Sequence, residues 1–322
     1  MKNQVQQALN NTSRWKVWEP VFWLLALASP FLLSSHALII NEIAIVALFA
    51  VSLDLILGYT GIVSLGHAAF FGMGAYTAAL FTKLVMPDPL VGLLVAIGVS
   101  TILGAICSLT VLRGSDLTRL MVTLGVALLL LELANKFSDL TGGADGLQGV
   151  VMGPLLGRFE FDLYGRTAAW YSLVVLVLVF MLARRLAKSP FGATLMAIRD
   201  NRLRAMAIGI PVASRIAVIY AVSAGVAGAA GALMAQTAGF ASLDVFSFER
   251  SADVMLLLVI GGTGWLYGGV VGAIVFKLLH DIISSITPQY WTFWIGLFLV
   301  VLMLVGREKL LRPWTWFRQG GA

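Results

Sequence analysis

Charge, cysteine and histidine are what this sequence has least of. Asp, Glu, Lys and Arg make up 12% of its 322 residues, roughly half the share found in soluble domains. That scarcity excludes an ordinary soluble fold. The single cysteine, Cys107, excludes disulfides and cysteine-based metal sites within the chain. The three histidines, His36, His67 and His280, fall in separate apolar stretches, so no metal site is expected. No G-x-x-x-x-G-K-[ST] run occurs, and the chain is expected to hydrolyse no nucleotide through a P-loop of its own. A nucleophile elbow and an H-E-x-x-H pair are absent as well. The net charge of +6 comes without any aromatic and basic module suited to nucleic acid.

What is present in abundance is apolar surface. Hydrophobic residues make up 59% of the chain, and the mean hydropathy is +0.92. The expected fold class is all-α, a polytopic transmembrane helical bundle of about ten membrane segments. Charge-poor stretches place these near 21–40, 42–57, 61–82, 89–112, 118–137, 167–186, 215–238, 252–264, 267–286 and 290–306. With both termini in the cytoplasm, this arrangement puts sixteen of the 22 Lys and Arg residues on the cytoplasmic side, as the positive-inside rule requires. The stretch 252–286 reads either as two spans or as one broken span, because Gly261-Gly262-Thr263-Gly264 and Gly268-Gly269 interrupt it. Residues 1–20 are too polar for a signal peptide and read as a cytoplasmic tail. Residues 21–306 form the membrane domain, and 307–322 a second cytoplasmic tail. The loop 138–166 carries little net charge and is expected outside. The loop 187–214 is strongly basic and is expected inside.

The most informative segment is GYTGIVSLGHAAFFGMGAY, Gly58 to Tyr76. It lies in a run long enough to cross a bilayer, which takes roughly 20 apolar residues. Yet it is rich in glycine and holds Ser64 and His67 near its middle. Such groups are tolerated at membrane depth where protein or a cavity surrounds them. The small residues Gly66, Ala69, Gly72 and Ala75 recur close to helical spacing, so Gly58, Gly61, Gly66, Gly72 and Gly74 are read as close helix packing. Ser64 and His67 stand at i and i+3, on one face of an expected helix. With Thr60 they are candidates to edge a translocation path, or else hydrogen-bond a neighbouring helix. Gly261, Gly262 and Gly264 join the packing set. Five spans on each side of the outer loop would form inverted halves, with Gly58-Tyr59-Thr60-Gly61 matching Gly261-Gly262-Thr263-Gly264. Interrupted segments at corresponding places in such repeats mark transport paths.

The basic loop contains AIRDNRLRAMAIGI, Ala197 to Ile210. It reads as a short amphipathic helix, with Ile198, Leu203, Met206 and Ala207 sharing one apolar face. The alternatives are a loop that only fixes topology and a helix that docks onto a soluble partner. Trp265 and Tyr267 are expected at the membrane interface. Glu132–Lys136 and Lys277–Asp281 have i,i+4 spacing and read as pairs on a helix surface. With Asp54, they form no connected proton relay.

The wording of these stretches resembles the LivM-type permease subunits of bacterial branched-chain amino acid ABC transporters. The resemblance runs from SLDLIL and the Gly58–Tyr76 segment through TGGADGL, AIRDN…AIGI, SAGVAGAAGAL and MLLLVIGGTGWLYGGVVGA, roughly Ala44 to Ser284. It implies a permease subunit of an ATP-driven importer, not itself an enzyme, in the bacterial inner membrane. The implied partners are a second, LivH-type permease, two cytoplasmic ATPase subunits, a periplasmic or tethered substrate-binding protein, and membrane lipid. Nucleic acid is not among them. ATP and Mg would be bound by the ATPases, and this chain would bind no cofactor. The resemblance makes the basic loop the coupling helix that enters the ATPase cleft, with Gly192, Ile198, Arg199, Asp200, Asn201, Leu203, Met206 and Gly209 as coupling residues. Relatives commonly have Glu-Ile/Ala-Ala after the Asp-Asn pair, where Arg202-Leu203-Arg204 stands here, which changes the charge offered to the ATPase. Urea-type relatives often have Gln at the position of His67, so branched-chain amino acids are favoured over urea, amides or other small solutes. A proton-coupled secondary carrier and a membrane scaffold are the readings from other classes.

Overall fold

A computed structural model describes residues 16, 18–112, 116–162 and 164–305. Most of both expected tails, 1–20 and 307–322, lies outside them. The described residues form helices α1 (Trp18–Leu32), α2 (Ala37–Thr60), α3 (Ala68–Leu84), α4 (Pro89–Val111), α5 (Asp116–Lys136), α6 (Ser138–Thr141), α7 (Arg166–Ala187), α8 (Pro190–Asp200), α9 (Arg202–Ala207), α10 (Val212–Ala238), α11 (Phe248–Gly261), α12 (Leu266–Ile286) and α13 (Trp291–Val305). Local sequence sets several of these ends. Asp88 caps α4, its Oδ1 accepting from the amides of Leu90 at 2.9 Å and Val91 at 3.1 Å, with Pro89 in the first turn. Ser189 followed by Pro190 opens α8 in the same manner.

Burial sorts the helices into layers. α2 and α10 form the centre, with 78% and 72% of their most apolar stretches buried. α3 and α4 pack on α10, while α7 and α12 pack on α2. α5 is only 17% buried over its apolar stretch and turns Leu117, Met121, Leu128 and Leu129 outward, as a helix facing lipid or another chain does. Apolar burial gives little drive between helices in lipid, so close backbones and hydrogen bonds must hold them. Two buried polar knots do so. Asn41 of α2 donates to Thr237 of α10 at 3.0 Å and accepts from Ser172 of α7 at 2.6 Å. Gln236 of α10 donates to the Pro89 carbonyl at 2.8 Å and accepts from the Tyr171 hydroxyl at 2.9 Å. A third link joins α1 to α7, where Arg184 bonds Glu19 at 2.6 Å, both side chains buried.

The all-helical class stands: the described residues contain no strand, only two isolated bridges. Each of the ten expected stretches has a helix, but among the described residues six helices are long and apolar enough to cross a membrane by themselves: α2, α4, α5, α7, α10 and α12, by their apolar runs. The stretch 252–286 is two helices, α11 and α12, parted at 262–265. The largest correction is at 61–82. Residues 61–67 are not helical, and α3 begins only at Ala68. Lys277 pairs with Glu42 of α2, and not with Asp281. Tyr267 is buried against Phe180 and Trp18, with ring centroids at 4.7 Å in each pair, and does not sit at a surface. The loop 138–166 is tied down: Leu147 and Ala241 exchange both backbone hydrogen bonds, and the Gly153 amide donates to the Pro87 carbonyl at 2.7 Å.

Candidate translocation and coupling site

The break between α2 and α3 starts at Gly61. Its φ of 73° closes α2, and its amide bonds the Leu57 carbonyl. A side chain resists that left-handed backbone, which makes glycine the fitting residue. At the other end, the first amide of α3, on Ala68, donates to the Ser251 hydroxyl of α11 at 2.9 Å. Between these ends the segment is pressed against neighbours. A Cβ on Gly66 would stand 1.7 Å from the Thr123 carbonyl oxygen of α5, so only glycine fits there.

His67 is fully buried and lies parallel to Phe49 at 5.6 Å between centroids, with Phe70 edge-on. Its Nε2 is 2.9 Å from the Ser52 hydroxyl. Ser52 already donates to the Phe49 carbonyl at 2.6 Å. Serine has one hydrogen to give, so the arrangement that serves both contacts has Nε2 protonated and donating. The other ring nitrogen, Nδ1, is buried without a hydrogen-bond partner among the described residues. Ser223 of α10 completes the knot by donating to the Ser52 carbonyl at 2.5 Å.

All three expected path residues are enclosed. Ser64 is buried beside the Tyr220 hydroxyl. Thr60 is buried, and its hydroxyl donates to the Ile56 carbonyl of its own helix at 2.7 Å. Ser64 and His67 do not share a helix face, because neither lies in a helix. The seam lined by Gly66, Phe70, Cys107, Thr123 and Tyr220 is too narrow for a water molecule. No cluster of metal-ligating side chains occurs among the described residues.

The two glycine segments, 58–61 and 261–264, meet in space. A Cβ on Gly58 would stand 2.4 Å from the Gly264 amide nitrogen. Asp54, one turn before Gly58, accepts from that amide at 2.7 Å. Gly262 and Gly264 take φ of 98° and 76° in the turn between α11 and α12. Gly261 lies against Gly268, where a Cβ would be 1.8 Å from the carbonyl oxygen. Gly72 faces the Phe246 ring, and Gly74 faces Gly228 of α10.

The basic loop is two helices, not one. Asn201 ends α8 and caps α9, its side chain accepting from the Arg204 amide at 2.9 Å. This break overturns the single apolar face. Ile198 is buried in the bundle, whereas Leu203 and Met206 are exposed along with Ala207. Met196, Leu203, Met206 and Ile208 are exposed apolar side chains set among Arg199, Asp200, Arg202 and Arg204. Gly192 packs on α7, where a Cβ would meet the Ala187 carbonyl, and Gly209 turns the chain at φ 85°. Arg199 departs from the others: its Nη1 reaches back to the Gly58 carbonyl at 2.5 Å. The residues that sequence reasoning passed over are Ser52, Ser223 and Ser251. Hydropathy is blind to them, since single serines in apolar runs carry no local pattern.

The family profile described as "Branched-chain amino acid transport system / permease component" matches residues 36–305. The chain is 26% identical to the high-affinity branched-chain amino acid transport system permease protein LivM of Escherichia coli K12, over 95% of this chain and 76% of that protein. It is 24% identical to a probable LivM of Methanocaldococcus jannaschii, over 72% of this chain and 77% of the relative. A probable LivH from the same organism is 24% identical over 74% of this chain and 77% of its own length. No solved structure matches. The chain belongs to the branched-chain amino acid transport permease family.

Proposed function

We propose that this chain is the LivM-type half of the membrane pore of an ATP-driven importer for branched-chain amino acids. The observation that carries the reading is the family match across residues 36–305. Similarity to both LivM and LivH fits a pore made by two related permeases. In this reading the second permease is LivH-type, two cytoplasmic ATPases bind ATP and Mg, and a periplasmic or tethered binding protein delivers the substrate. The chain crosses the bacterial inner membrane ten times, with both termini in the cytoplasm. The basic segment 187–214 then lies on the cytoplasmic side, where the exposed Leu203 and Met206 meet an ATPase.

The site suggests how motion reaches the path. Residues 61–67 are irregular backbone at membrane depth, tolerated because protein surrounds them. They are held by the Ser52–His67 hydrogen bond, the packing of His67 against Phe49 and Phe70, the Ser251 cap and the Gly66 contact. A shift of α8 and α9 on ATP binding rocks the pair of permeases and opens the path beside Thr60, Ser64 and His67. The binding protein supplies selectivity, so the path itself needs only weak contacts.

Energy source is the test. In cells producing the full set of subunits, arsenate drains ATP and is expected to abolish leucine uptake. A protonophore, with ATP maintained, is expected to leave uptake running. The opposite pattern would establish a proton-coupled carrier, and uptake of urea without leucine would move the substrate class.

A further inference from the structure

Arg199 belongs to the basic segment, yet its side chain reaches into the bundle and hydrogen-bonds the end of α2. It sits in the last turn of α8, with its side chain 41% exposed, and its Nη1 donates to the Gly58 carbonyl. That carbonyl lies in the last turn of α2, where oxygens lack intrahelical donors and the helix dipole presents partial negative charge. Glycines make the approach possible. Arg199 Cγ lies 3.0 Å from where a Cβ on Gly61 would stand, and Nη1 lies 3.2 Å from where one on Gly264 would. Asp54 is on the same side of α2. Its Oδ1 holds the Gly264 amide, and its Oδ2 is buried with no hydrogen-bond partner among the described residues. Three segments therefore converge on one guanidinium and one carboxylate: the end of α8, the end of α2 and the 262–265 turn.

We propose that Arg199 is a positioning residue that carries movement of α8 into the 61–67 break, with two seats for its guanidinium, the Gly58 carbonyl and Asp54 Oδ2. In the seat observed, Arg199 holds the end of α2 and leaves Asp54 to anchor the 262–265 turn. When α8 shifts, the guanidinium moves to the open carboxylate oxygen, and the Gly58 carbonyl is released together with the break that follows it. Coupling between distant sites needs an element with two discrete arrangements that both sites bias, and the unused Oδ2 supplies the second. This assigns Arg199 an inward role, separate from the outward contacts of Leu203 and Met206. It rests on the importer reading given above.

The test uses the complete assembly in proteoliposomes and reads leucine imported per ATP hydrolysed. Arg199→Gln is expected to assemble and hydrolyse ATP while the ratio falls about tenfold, within the usual range of allosteric coupling. Arg199→Lys keeps the charge but not the fork and is expected to fall between. Asp54→Asn keeps an acceptor for Gly264 yet removes the charged second seat, and the ratio is expected to fall with it. Arg158→Gln, which removes a charge from the outer loop, serves as the control and keeps the wild-type ratio. Amide exchange supplies a second reading: ATP raises exchange across 61–67 in the wild type and not in Arg199→Gln. A wild-type ratio in Arg199→Gln, or an unchanged exchange response, overturns the proposal and leaves the importer reading intact. A wild-type assembly that imports leucine without ATP overturns both.

Discussion

Gly74 of α3 and Gly228 of α10 cross so closely that a Cβ on Gly74 would stand 2.1 Å from the Gly228 carbonyl oxygen. Gly231, one turn further along α10, has the same relation to the Phe71 carbonyl at 1.8 Å. The obstacles are backbone atoms, which cannot rotate away. Gly74→Val is therefore expected to cost at least the 1–3 kcal/mol typical of overpacking, taken as an order of magnitude. Gly98→Ala, with open space around it, is expected to be silent. Thermal midpoints of the two variants in detergent check the contrast.

The Glu19–Arg184 pair is buried on both sides. Arg184→Ala strands the Glu19 carboxylate and is expected to lose on the order of 3–5 kcal/mol. Replacing both with leucine removes the stranded charge and is expected to recover most of that loss. A double-mutant cycle on unfolding free energy measures it, and a double variant as unstable as Arg184→Ala would contradict the reasoning.

Ser52→Ala removes the acceptor from His67 Nε2 and leaves a buried donor unpaired, a cost of about 1–3 kcal/mol. Because Ser52 and His67 fasten the break, the loss should be local. Amide exchange is expected to rise across 61–67 before it rises in α10. Uniform destabilisation would show that the break is no separate unit.

On the basic segment, Leu203→Asp and Met206→Asp fall on exposed positions. They are expected to leave the stability of the isolated permease unchanged and to weaken co-purification with the ATPases. Ile198→Asp places a charge at a buried position and is expected to lower stability instead. If the three variants behave alike, the division at Asn201 has no functional meaning.

Much of this architecture is legible in the order of charges. Long charge-free runs locate the helices, since burying or embedding a charge is costly. Charge order does not show where a helix stops inside such a run. The small residues from Gly66 to Ala75 fit helical spacing, yet the chain leaves the helix at Gly61 and resumes at Ala68. The cause lies far off in sequence: the Thr123 carbonyl against Gly66, Ser52 against His67, and Ser251 capping Ala68. Gly61 itself, a glycine at a helix C-terminus, was the local signal for the break. Asn201 was the corresponding signal in the basic loop, as a favourable N-cap inside an apparent helix. Lys277 shows the same limit: its spacing to Asp281 suits a local pair, but packing of α12 on α2 brings Glu42 to it.

Transport itself gives the most direct measurement. Proteoliposomes carrying this chain, the second permease, the two ATPases and the binding protein, with ATP trapped inside, should accumulate labelled leucine. Omitting ATP or any one subunit should end accumulation. Accumulation by this chain alone, without ATP, would contradict the account.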